Sequence, residues 1–280
     1  MEVEKGVQRW VIDISEWNPS SHEFSLAMSL LPQHQHSSIT RFLKFEDRKR
    51  AIVSRLLQYA LVNRVLGIPF DQIVIERTPE GKPFLVCDNG TLAFPNFNFN
   101  VSHHGDYVAI ASEPICLVGL DIVSYSLPVD DTVESFISSF SSYFSTLEWC
   151  HIFSASSSDE MLKVFYRYWC LKEAFVKAMG SGLGYKLDDV EFHHTNWENI
   201  SVKVSGEVLN DWKFWLLQLG QNHSVAIARG HPRAATTTYM RTLKQIEFDD
   251  REYRLGLHLP NASFRFLRVD ELIQLCQHLD

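Results

Sequence analysis

The chain has 280 residues, 45% of them hydrophobic and 21% charged, which is the composition of a folded globular protein rather than a disordered one. Its formal net charge of −8 excludes a broad surface for nucleic acid or membrane, because either surface would carry an excess of basic residues. The length predicts either one large domain or two packed halves.

The cysteines and the N-terminal segment indicate the compartment. Neither a disulfide framework nor a zinc site is predicted, because no C-x-x-C pair occurs among the widely spaced cysteines, Cys87, Cys116, Cys150, Cys170 and Cys276. The start of the chain lacks the apolar region of a signal peptide, and no apolar run reaches membrane-spanning length. We expect a monomer in the reducing cytosol, where no glycan would be added at the four Asn-x-Ser sequons, Asn100, Asn199, Asn222 and Asn261.

The first strong element in chain order is a helix. Residues 40–66, "TRFLKFEDRKRAIVSRLLQYALVNRVL", contain no Gly or Pro and place apolar residues near helical spacing. Gly67 and Pro69 end the helix. Two strand-like runs follow at 73–77 and 82–87, and the turn-prone "TPEG" between them predicts a hairpin.

A strand with strict alternation comes next. In "NFNFNVSHHGDYVAIAS", the side chains of Asn96, Asn98 and Asn100 alternate with apolar residues, which is the period of a β-strand. The residues "HHGD" then predict a turn into a second strand over residues 107–111.

The C-terminal part repeats this arrangement of helix and strands. The run "CLVGLDIVSY" is β-like and apolar except for Asp121, and Ser157 with Glu160 has capping-box spacing before a long helix. Further strand-like runs are "DVEFHH", "ISVKV", "WKFWLLQL" and "SVAIAR". We therefore predict an α/β (α+β) fold of two similar halves, residues 1–115 and 116–230, and a C-terminal extension over residues 231–280 without a strong pattern.

Three charged residues in apolar surroundings are candidates for chemistry. Glu173 and Lys177 lie one turn apart in "YWCLKEAFVKAMGSGLGYKL", where they form either a solvated i,i+4 ion pair or a functional pair of acid and cation. Asp121 in its apolar strand needs either a salt bridge or a metal, because a buried charge is costly alone. If Asp121 and Glu173 converge, their oxygens provide a site for Mg²⁺.

Other polar positions have both structural and functional interpretations. Ser102 beside His103 suggests a hydrolase dyad, but adjacent strand residues point to opposite faces and no G-x-S-x-G elbow occurs. His103 is either a turn histidine or a phosphate donor, and His104 is expected to be exposed. Arg77 and Lys82 flank a glycine-containing turn that either binds phosphate or is a solvated hairpin tip. Three glycines follow the helix that carries Glu173. We expect them to cap that helix and to allow close packing at its end: Gly180, Gly182 and Gly184.

The order of these motifs resembles a known family. "GKP", "NVSHHGDY", "GLDI" and "WCLKEAFVKAMGSGLG" occur in the order typical of Sfp-type 4′-phosphopantetheinyl transferases, and are most similar to the eukaryotic branch related to aminoadipate-semialdehyde dehydrogenase phosphopantetheinyl transferase. The resemblance implies two α/β subdomains related by a pseudo-twofold, with the active site at their interface. It also implies transfer of the phosphopantetheine arm of coenzyme A to a serine of an apo carrier protein, with release of adenosine 3′,5′-bisphosphate.

The resemblance assigns roles residue by residue. Asp121 and Glu173 match the acids that bind Mg²⁺, Glu173 also matches the base, and Lys177 matches the neighbouring catalytic lysine. Asp121, Glu173 and Lys177 also match positions that hold coenzyme A. The resemblance adds five further residues to that binding site: Arg77, Lys82, Asn100, Ser102 and His103.

The sequence departs from the family pattern at three places. Val123 stands where many bacterial members have a second acid, so water or a side chain from the "HHGD" turn is expected to complete the metal shell. Ala174 replaces the usual Ser, and Arg41 is the candidate for a basic residue before the first long helix. Because Val123 thins the metal shell, a module that binds coenzyme A or carrier protein without transferase activity is the alternative. The carrier is left open among fatty-acid, aminoadipate and secondary-metabolite carrier domains.

Overall fold

Two helices of 22 residues, one in each half of the chain, lie against antiparallel strands. The computed structural model describes residues 3–86, 94–245, 247 and 249–277. Both helices end at a glycine in the left-handed region, Gly67 with φ 68° and Gly180 with φ 74°. A left-handed glycine is a common helix terminator because it has no Cβ to clash with the backbone. The predicted α+β fold class is confirmed.

In the described part of the N-terminal half, the strands form an antiparallel sheet and a hairpin. Its elements are β1 (Gln8–Asp13), α1 (Ser21–Ser29), α2 (Gln33–Thr40), α3 (Phe45–Leu66), β2 (Val74–Arg77), β3 (Pro83–Val86), β4 (Asn98–His104) and β5 (Tyr107–Glu113). Strand β5 pairs with both β1 and β4, and α3 packs on this sheet. The predicted hairpin is confirmed as β2 and β3. Cys87, at the end of the predicted second strand, lies outside the described residues.

The predicted start of the long helix is wrong. Helix α2 ends at Thr40, and α3 begins only at Phe45. Between them the chain turns, and the Arg48 Nε donates a hydrogen bond of 2.7 Å to the Phe42 carbonyl oxygen. The sequence contains no glycine or proline at this break, so neither of the usual signals for a helix end was present.

The C-terminal half contains two sheets around α6. Its elements are β6 (Leu117–Ser124), α4 (Val133–Ser138), α5 (Thr146–Phe153), α6 (Ser158–Met179), β7 (Val190–Thr195), β8 (Glu198–Val204), β9 (Glu207–Val208), β10 (Trp212–Leu219) and β11 (His223–Gly230). One sheet has the order β10-β11-β6 and the other the order β7-β8-β9. Ser157 caps α6 by accepting the Glu160 backbone N–H, as its spacing indicated.

The residues after Gly230 return to the N-terminal half. They form α7 (Thr237–Met240), α8 (Asp250–Leu257), β12 (Arg265–Leu267) and α9 (Val269–Gln277). Strand β12 pairs in parallel with β1, and α9 packs on α3. Leu272 and Cys276 are buried in the same core as the α3 side chains. The C-terminal segment is therefore part of the N-terminal core.

Side chains of β4 join the two halves by bonding to the backbone of β6. The Asn98 and Asn100 side-chain oxygens accept the N–H groups of Val118 and Leu120, at 3.0 and 2.9 Å. Two further rungs are formed by Ser102, which accepts the Ile122 N–H at 3.2 Å, and by His104 Nδ1, which accepts the Ser124 N–H at 3.2 Å. From Asn98 to His104, the polar side chains of the alternating pattern therefore take the place of a strand partner along β6, whereas the Asn96 side chain bonds to Gln245.

A buried ion cluster also crosses between the halves. Arg9 of β1 and Arg229 of β11 both bond to the Glu113 carboxylate, and all three side chains are fully buried. Arg9 Nε also donates to the Asn261 side-chain oxygen at 3.1 Å. This cluster fixes both halves and the C-terminal segment together.

The sequence predicted neither a membrane-spanning helix nor a disulfide framework. None of the described helices is both long and apolar enough to cross a membrane. The cysteines within the described residues are free thiols, Cys116, Cys150, Cys170 and Cys276.

Candidate active site

Asp121 is brought to α6 by the close approach of that helix to β6. Gly119, two residues before Asp121, has no side chain, and a Cβ there would lie 1.8 Å from the Ala174 carbonyl oxygen. Alternate strand residues share a face, so Gly119, Asp121 and Val123 all point toward α6. The predicted convergence of Asp121 with the α6 residues depends on this glycine.

Lys177 and Ser102 hold the Asp121 carboxylate. The Lys177 Nζ donates to Asp121 Oδ1 at 2.5 Å and to Ser102 Oγ at 3.1 Å. The Ser102 hydroxyl in turn donates to Asp121 Oδ1 at 3.1 Å. Among the described residues the ion-pair partner of Lys177 is therefore Asp121 of the neighbouring strand, and Glu173 one turn before it acts on Lys177 only through its charge.

Burial and mutual charge shift the pKa values of the two α6 residues. Desolvation raises the pKa of Glu173, the negative charge of Asp121 raises it further, and Lys177 opposes both. Burial disfavours the charge of Lys177, but Asp121 and Glu173 outweigh burial and raise its pKa. The site thus contains two carboxyl groups that repel each other and one cation that they stabilise.

The donor set fits a hard divalent cation. Asp121 and Glu173 supply carboxylate oxygens, which Mg²⁺ prefers, and Mg²⁺ commonly uses one or two carboxylates together with water and substrate phosphate. Within the described residues no cluster of three His, Cys, Asp or Glu side chains is arranged to hold a metal. A metal here would therefore take its other ligands from water and substrate.

A cleft of about 230 Å³ opens beside these residues, between the two halves. Its walls include Glu173 and Lys177 of α6 and the β2–β3 hairpin. The other lining residues include Arg77, Glu80, Gly81, Lys82, Asn100, Gly180 and Gly182. The cleft brings together most of the site residues that the sequence predicted.

The glycines after α6 allow the hairpin to close on this cleft. Gly180 and Gly182 have φ of 74° and 65°, and a Cβ on Gly182 would lie 3.2 Å from the Glu80 Cβ. A side chain at Gly182 would be strained in the backbone and crowded by the hairpin. The expected role of these glycines in capping and close packing agrees with this geometry.

Lys82 lines the cleft, but its ammonium group is bonded to backbone carbonyl oxygens within the protein. Its Nζ donates to the carbonyl oxygens of Val118, at 2.9 Å, and Lys177, at 2.5 Å, and lies 4.6 Å from the centre of the Tyr239 ring. Burial, assisted by the charge of Lys177, lowers the Lys82 pKa well below its ordinary value. Lys82 therefore joins β3 to β6 and to the end of α6, and contact between its ammonium and a phosphate stays a prediction.

Arg77 connects the cleft to a second cavity of about 390 Å³ that contains three arginines. Arg41, Arg55 and Arg77 line this arginine pocket together with Tyr59. Desolvation lowers the pKa of Arg77 to about 10, with smaller effects from Arg55 and Arg41, so it is still charged at neutral pH. The buried Tyr59 hydroxyl has no hydrogen-bond partner among the described residues. Three cations and a free hydroxyl are suited to bind an anion such as a phosphate monoester.

Arg55 and Tyr59 were missed by the sequence reasoning, whereas Arg41 was its candidate for a basic residue. The sequence offers only a weak indication of Arg55, which is that it lies between Ser54 and Leu56, two residues that are buried on α3. Only the tertiary structure shows that Arg55 of α3 and Arg77 of β2 line the same pocket.

The two histidines after Ser102 differ from expectation. His103 is at the surface, where desolvation and the charges of Lys177 and Arg50 lower its pKa to about 4. The expectation that His104 is exposed is wrong, because its ring is half-buried and accepts the Ser124 N–H. Ser102 bonds to Asp121 and Lys177, so its hydroxyl is not arranged for activation by His103.

Val123 is buried against the C-terminal core, on the same face as Asp121.

Comparison with known proteins identifies the class. The 4′-phosphopantetheinyl transferase N-terminal family matches residues 15–115, and the 4′-phosphopantetheinyl transferase superfamily matches residues 117–228. The chain therefore belongs to the 4′-phosphopantetheinyl transferase superfamily, and it is an enzyme of that activity.

Individual relatives narrow the branch. The chain is 38% identical to the L-aminoadipate-semialdehyde dehydrogenase-phosphopantetheinyl transferase of Xenopus laevis, over 80% of this chain and 76% of that protein. It is 35% identical to the protein of the same name from Homo sapiens, over 80% of this chain and 75% of that protein. A phosphopantetheinyl transferase of Thraustochytrium sp. is 32% identical over 88% of both chains. Among solved structures, the holo-ACP-synthase of Plasmodium yoelii matches with a TM-score of 0.33 and 15% identity, over 41% of this chain and 94% of that one.

Proposed function

We propose that the chain transfers the 4′-phosphopantetheine arm of coenzyme A to a serine of an apo carrier protein in a Mg²⁺-dependent reaction, releasing adenosine 3′,5′-bisphosphate. The observation that supports this most directly is the convergence of Asp121, Glu173 and Lys177 beside a cleft that continues into the arginine pocket. Glu173 lines the cleft and Asp121 lies next to it, bonded to Lys177 of the cleft wall, and the pocket contains cations for the nucleotide phosphates.

Asp121 and Glu173 would hold the metal, and Glu173 is placed to accept the proton of the attacking serine. When bound, Mg²⁺ neutralises charge that develops on the pyrophosphate oxygens as the phosphoryl group is transferred. Glu173 is half-buried at the wall of the cleft, and a desolvated carboxylate is a stronger base than one in water.

Lys177 neutralises Asp121 in the protein alone, and its ammonium is within reach of an anionic substrate in the same cleft. Asn100 and Ser102 contribute by fixing the backbone of β6 on both sides of Asp121. His103, which is neutral at pH 7, can donate one N–H to a phosphate oxygen at the rim.

The arginine pocket is proposed to bind the 3′-phosphate of coenzyme A, while the pyrophosphate lies in the cleft. Arg77 lines both cavities, so it stands between the two phosphate-binding regions. An arginine binds a phosphate through two parallel N–H groups, and such charge-assisted bonds are roughly twice as strong as neutral ones.

The alternative, binding without transfer, rests only on Val123. Val123 packs in the core, and the neighbouring Asp121 carboxylate is held by Lys177 and Ser102. Because two carboxylates are sufficient for a Mg²⁺ site that includes substrate phosphate, the replaced acid is not required. The geometry therefore favours transfer.

The test is mass spectrometry of apo carrier proteins incubated with the purified chain, coenzyme A and Mg²⁺. We expect the mass of one phosphopantetheine group to be added to at least one fatty-acid, aminoadipate or secondary-metabolite carrier. Removal of metal with EDTA should stop this gain, and adding back Mg²⁺ should restore it. Full activity after thorough metal removal would contradict the metal requirement. The cytosolic location and the monomeric state stay predictions.

A further inference from the structure

Two turns, one from each half of the chain, interlock. The β4–β5 turn contains Gly105 and the β10–β11 turn contains Gly220, and both glycines are in the left-handed region, with φ of 56° and 55°. A Cβ on Gly105 would lie 2.4 Å from Nε2 of His223, at the start of β11. A Cβ on Gly220 would lie 3.0 Å from the hydroxyl oxygen of Tyr107, at the start of β5. Each turn is therefore in contact with a side chain from the other half.

The two side chains also contact each other. The rings of Tyr107 and His223 meet edge to face with their centroids 4.9 Å apart, which is a favourable geometry for aromatic rings. At the other ends of β5 and β11 lies the buried ion cluster of Glu113 and its two arginines, so these strands are joined across the halves at both ends. We call the interlocked set the turn clasp, and it consists of Gly105, Tyr107, Gly220 and His223.

The position of the His223 ring carries a cost for the folded protein. His223 is only 8% exposed, and its Nε2 atom is buried with no hydrogen-bond partner among the described residues. A buried polar atom without a partner destabilises the folded state, so its presence requires a reason. The contact with Gly105 provides one, because the ring edge that carries Nε2 is the part of the side chain that reaches the β4–β5 turn.

The β4–β5 turn is also held by residues of the N-terminal half. Arg50 Nη1 of α3 donates to the Gly105 carbonyl oxygen at 2.8 Å, and the Ile14 backbone N–H donates to the Asp106 carbonyl oxygen at 2.8 Å. The C-terminal half adds the His223 ring, which blocks movement of Gly105 toward β11. The turn is therefore fixed from both halves of the chain.

His103, next to this turn, has no hydrogen bond of its own in the part of the chain that the structure describes. Its ring is exposed, and only desolvation and neighbouring charges act on its pKa. One of those charges is Lys177 of the cleft wall, to which the preceding residue Ser102 is bonded. The direction of the His103 ring is therefore determined by the backbone of β4 and of the turn that follows it.

We propose that His223 is a positioning residue for coenzyme A, because through Gly105 it holds the β4–β5 turn and so orients the His103 ring toward a phosphate oxygen. This inference rests on the proposed function, which gives His103 its contact with phosphate. A ring that is held before the ligand arrives loses less conformational freedom on binding, so the turn clasp increases the affinity for coenzyme A. It hardly affects kcat, because Asp121 and Glu173 lie on β6 and α6 rather than on the turn.

The test compares two substitutions of His223 that differ in how far the side chain reaches. An Asn side chain keeps a polar group near the Nδ1 position but does not reach Gly105, whereas a Gln side chain extends to about the position of Nε2. In calorimetric titrations with coenzyme A, we expect His223→Asn to raise the Kd about threefold to tenfold. His223→Gln should keep the Kd within about twofold of the unaltered chain.

A double-mutant cycle tests whether His223 acts through His103. The His103→Ala variant has already lost the proposed phosphate donor, so adding His223→Asn to it should cause no further rise in Kd. A merely structural role of His223 would lower the fraction of folded protein, and with it the calorimetric stoichiometry. The Kd of the folded fraction would then be the same with and without His223→Asn.

His231 provides a matched control, because it directly follows β11 at the end away from the turn clasp. It has the same 8% exposure as His223, and its Nδ1 accepts the Arg233 N–H at 3.0 Å, which an Asn side chain can also accept. His231→Asn therefore makes the same substitution at equal burial but away from the β4–β5 turn. Its Kd for coenzyme A should equal that of the unaltered chain.

Three results would overturn the proposal: an unchanged Kd in His223→Asn, an equal rise in His223→Gln or His231→Asn, and full additivity of His103→Ala and His223→Asn. If His103→Ala alone leaves the Kd unchanged, the proposed contact of His103 with phosphate is wrong and this inference is wrong with it. If His103→Ala raises the Kd and His223→Asn does not, only this inference fails. Failure of the unaltered chain to modify any carrier would contradict the proposed function without changing the measured affinities.

Discussion

At the scale of single residues, the proposed roles of Glu173 and its neighbours on α6 can be separated by substitution. Within the part of the chain that the structure describes, the Glu173 side chain has no hydrogen-bond partner, whereas Lys172 beside it is fully buried and bonds to the Glu148 carboxylate at 2.8 Å and to the Leu187 carbonyl oxygen at 2.8 Å. Helix position is therefore maintained by Lys172, and Glu173 is free to serve the substrate.

Glu173→Gln should abolish transfer without unfolding the protein. The substitution removes a charge and a base but hardly any volume, and loss of a general base commonly costs on the order of 10²–10⁴-fold in kcat. The melting temperature should be unchanged or slightly higher, because the repulsion between Glu173 and Asp121 is removed. Turnover near that of the unaltered chain would mean that Glu173 is only a structural ion-pair partner.

Arg55→Ala should weaken binding of coenzyme A through its 3′-phosphate. Loss of one charge-assisted hydrogen bond in a partly buried pocket costs about 1.5–3 kcal/mol, which is roughly a tenfold to hundredfold rise in KM. Dephospho-coenzyme A, which lacks that phosphate, is the control substrate, and its KM should hardly change. Calorimetry with both ligands checks the assignment, and an equal loss for the two would place the 3′-phosphate elsewhere.

At the scale of elements, the side-chain ladder between β4 and β6 explains why the N-terminal half carries alternating Asn residues. Each rung pairs a side-chain acceptor with a backbone N–H that would otherwise be buried without a partner. The ladder fixes the register of the two halves, and that register places Ser102 beside Asp121.

The rung formed by His104 should make stability depend on pH. Its Nδ1 must be unprotonated to accept the Ser124 N–H, and desolvation lowers the His104 pKa below its ordinary value. The unfolded chain therefore binds the proton more readily, so this contribution is present above about pH 6.5 and is lost as the pH falls through the lower folded pKa. Urea unfolding between pH 8 and pH 5 measures the loss.

His104→Asn is the matched variant for this effect, because an Asn side-chain oxygen can accept the same N–H, as it does at Asn98 and Asn100. The variant should be less sensitive to pH than the unaltered chain over the same range. A curve identical to that of the unaltered chain would assign the pH dependence to other histidines, such as His223, whose pKa burial also lowers.

At the scale of the whole molecule, the C-terminal segment closes the N-terminal half. Leu267, Val269, Leu272 and Cys276 are buried among the side chains of α3 and β1. Burial of such side chains contributes about 1.5–3 kcal/mol each. The sum is comparable with the 5–15 kcal/mol by which a typical domain is stable.

Leu272→Ala should therefore destabilise the protein by about 2–5 kcal/mol, although it lies far from the catalytic residues in the sequence. KM for coenzyme A should be unchanged in the folded fraction. The control is Leu255→Ala on α8, an exposed leucine whose loss should cost less than about 0.5 kcal/mol. Equal stability of the two variants by denaturant unfolding would show that α9 is not part of the core.

The sequence by itself determined the family and the fold class, and it selected Asp121, Glu173 and Lys177 as candidates, because periodicity and motif order are properties of the local chain. It misplaced the start of α3, because the break between α2 and α3 contains no glycine or proline to indicate it. Only the tertiary structure shows that the Lys82 ammonium bonds to backbone carbonyl oxygens and that Arg55 and Arg77 line the same pocket. The C-terminal segment likewise enters the core only because β12 pairs with β1, more than 250 residues away in sequence. Such contacts leave no short-range pattern, since they depend on how separate elements are packed rather than on the spacing of residues within any one of them.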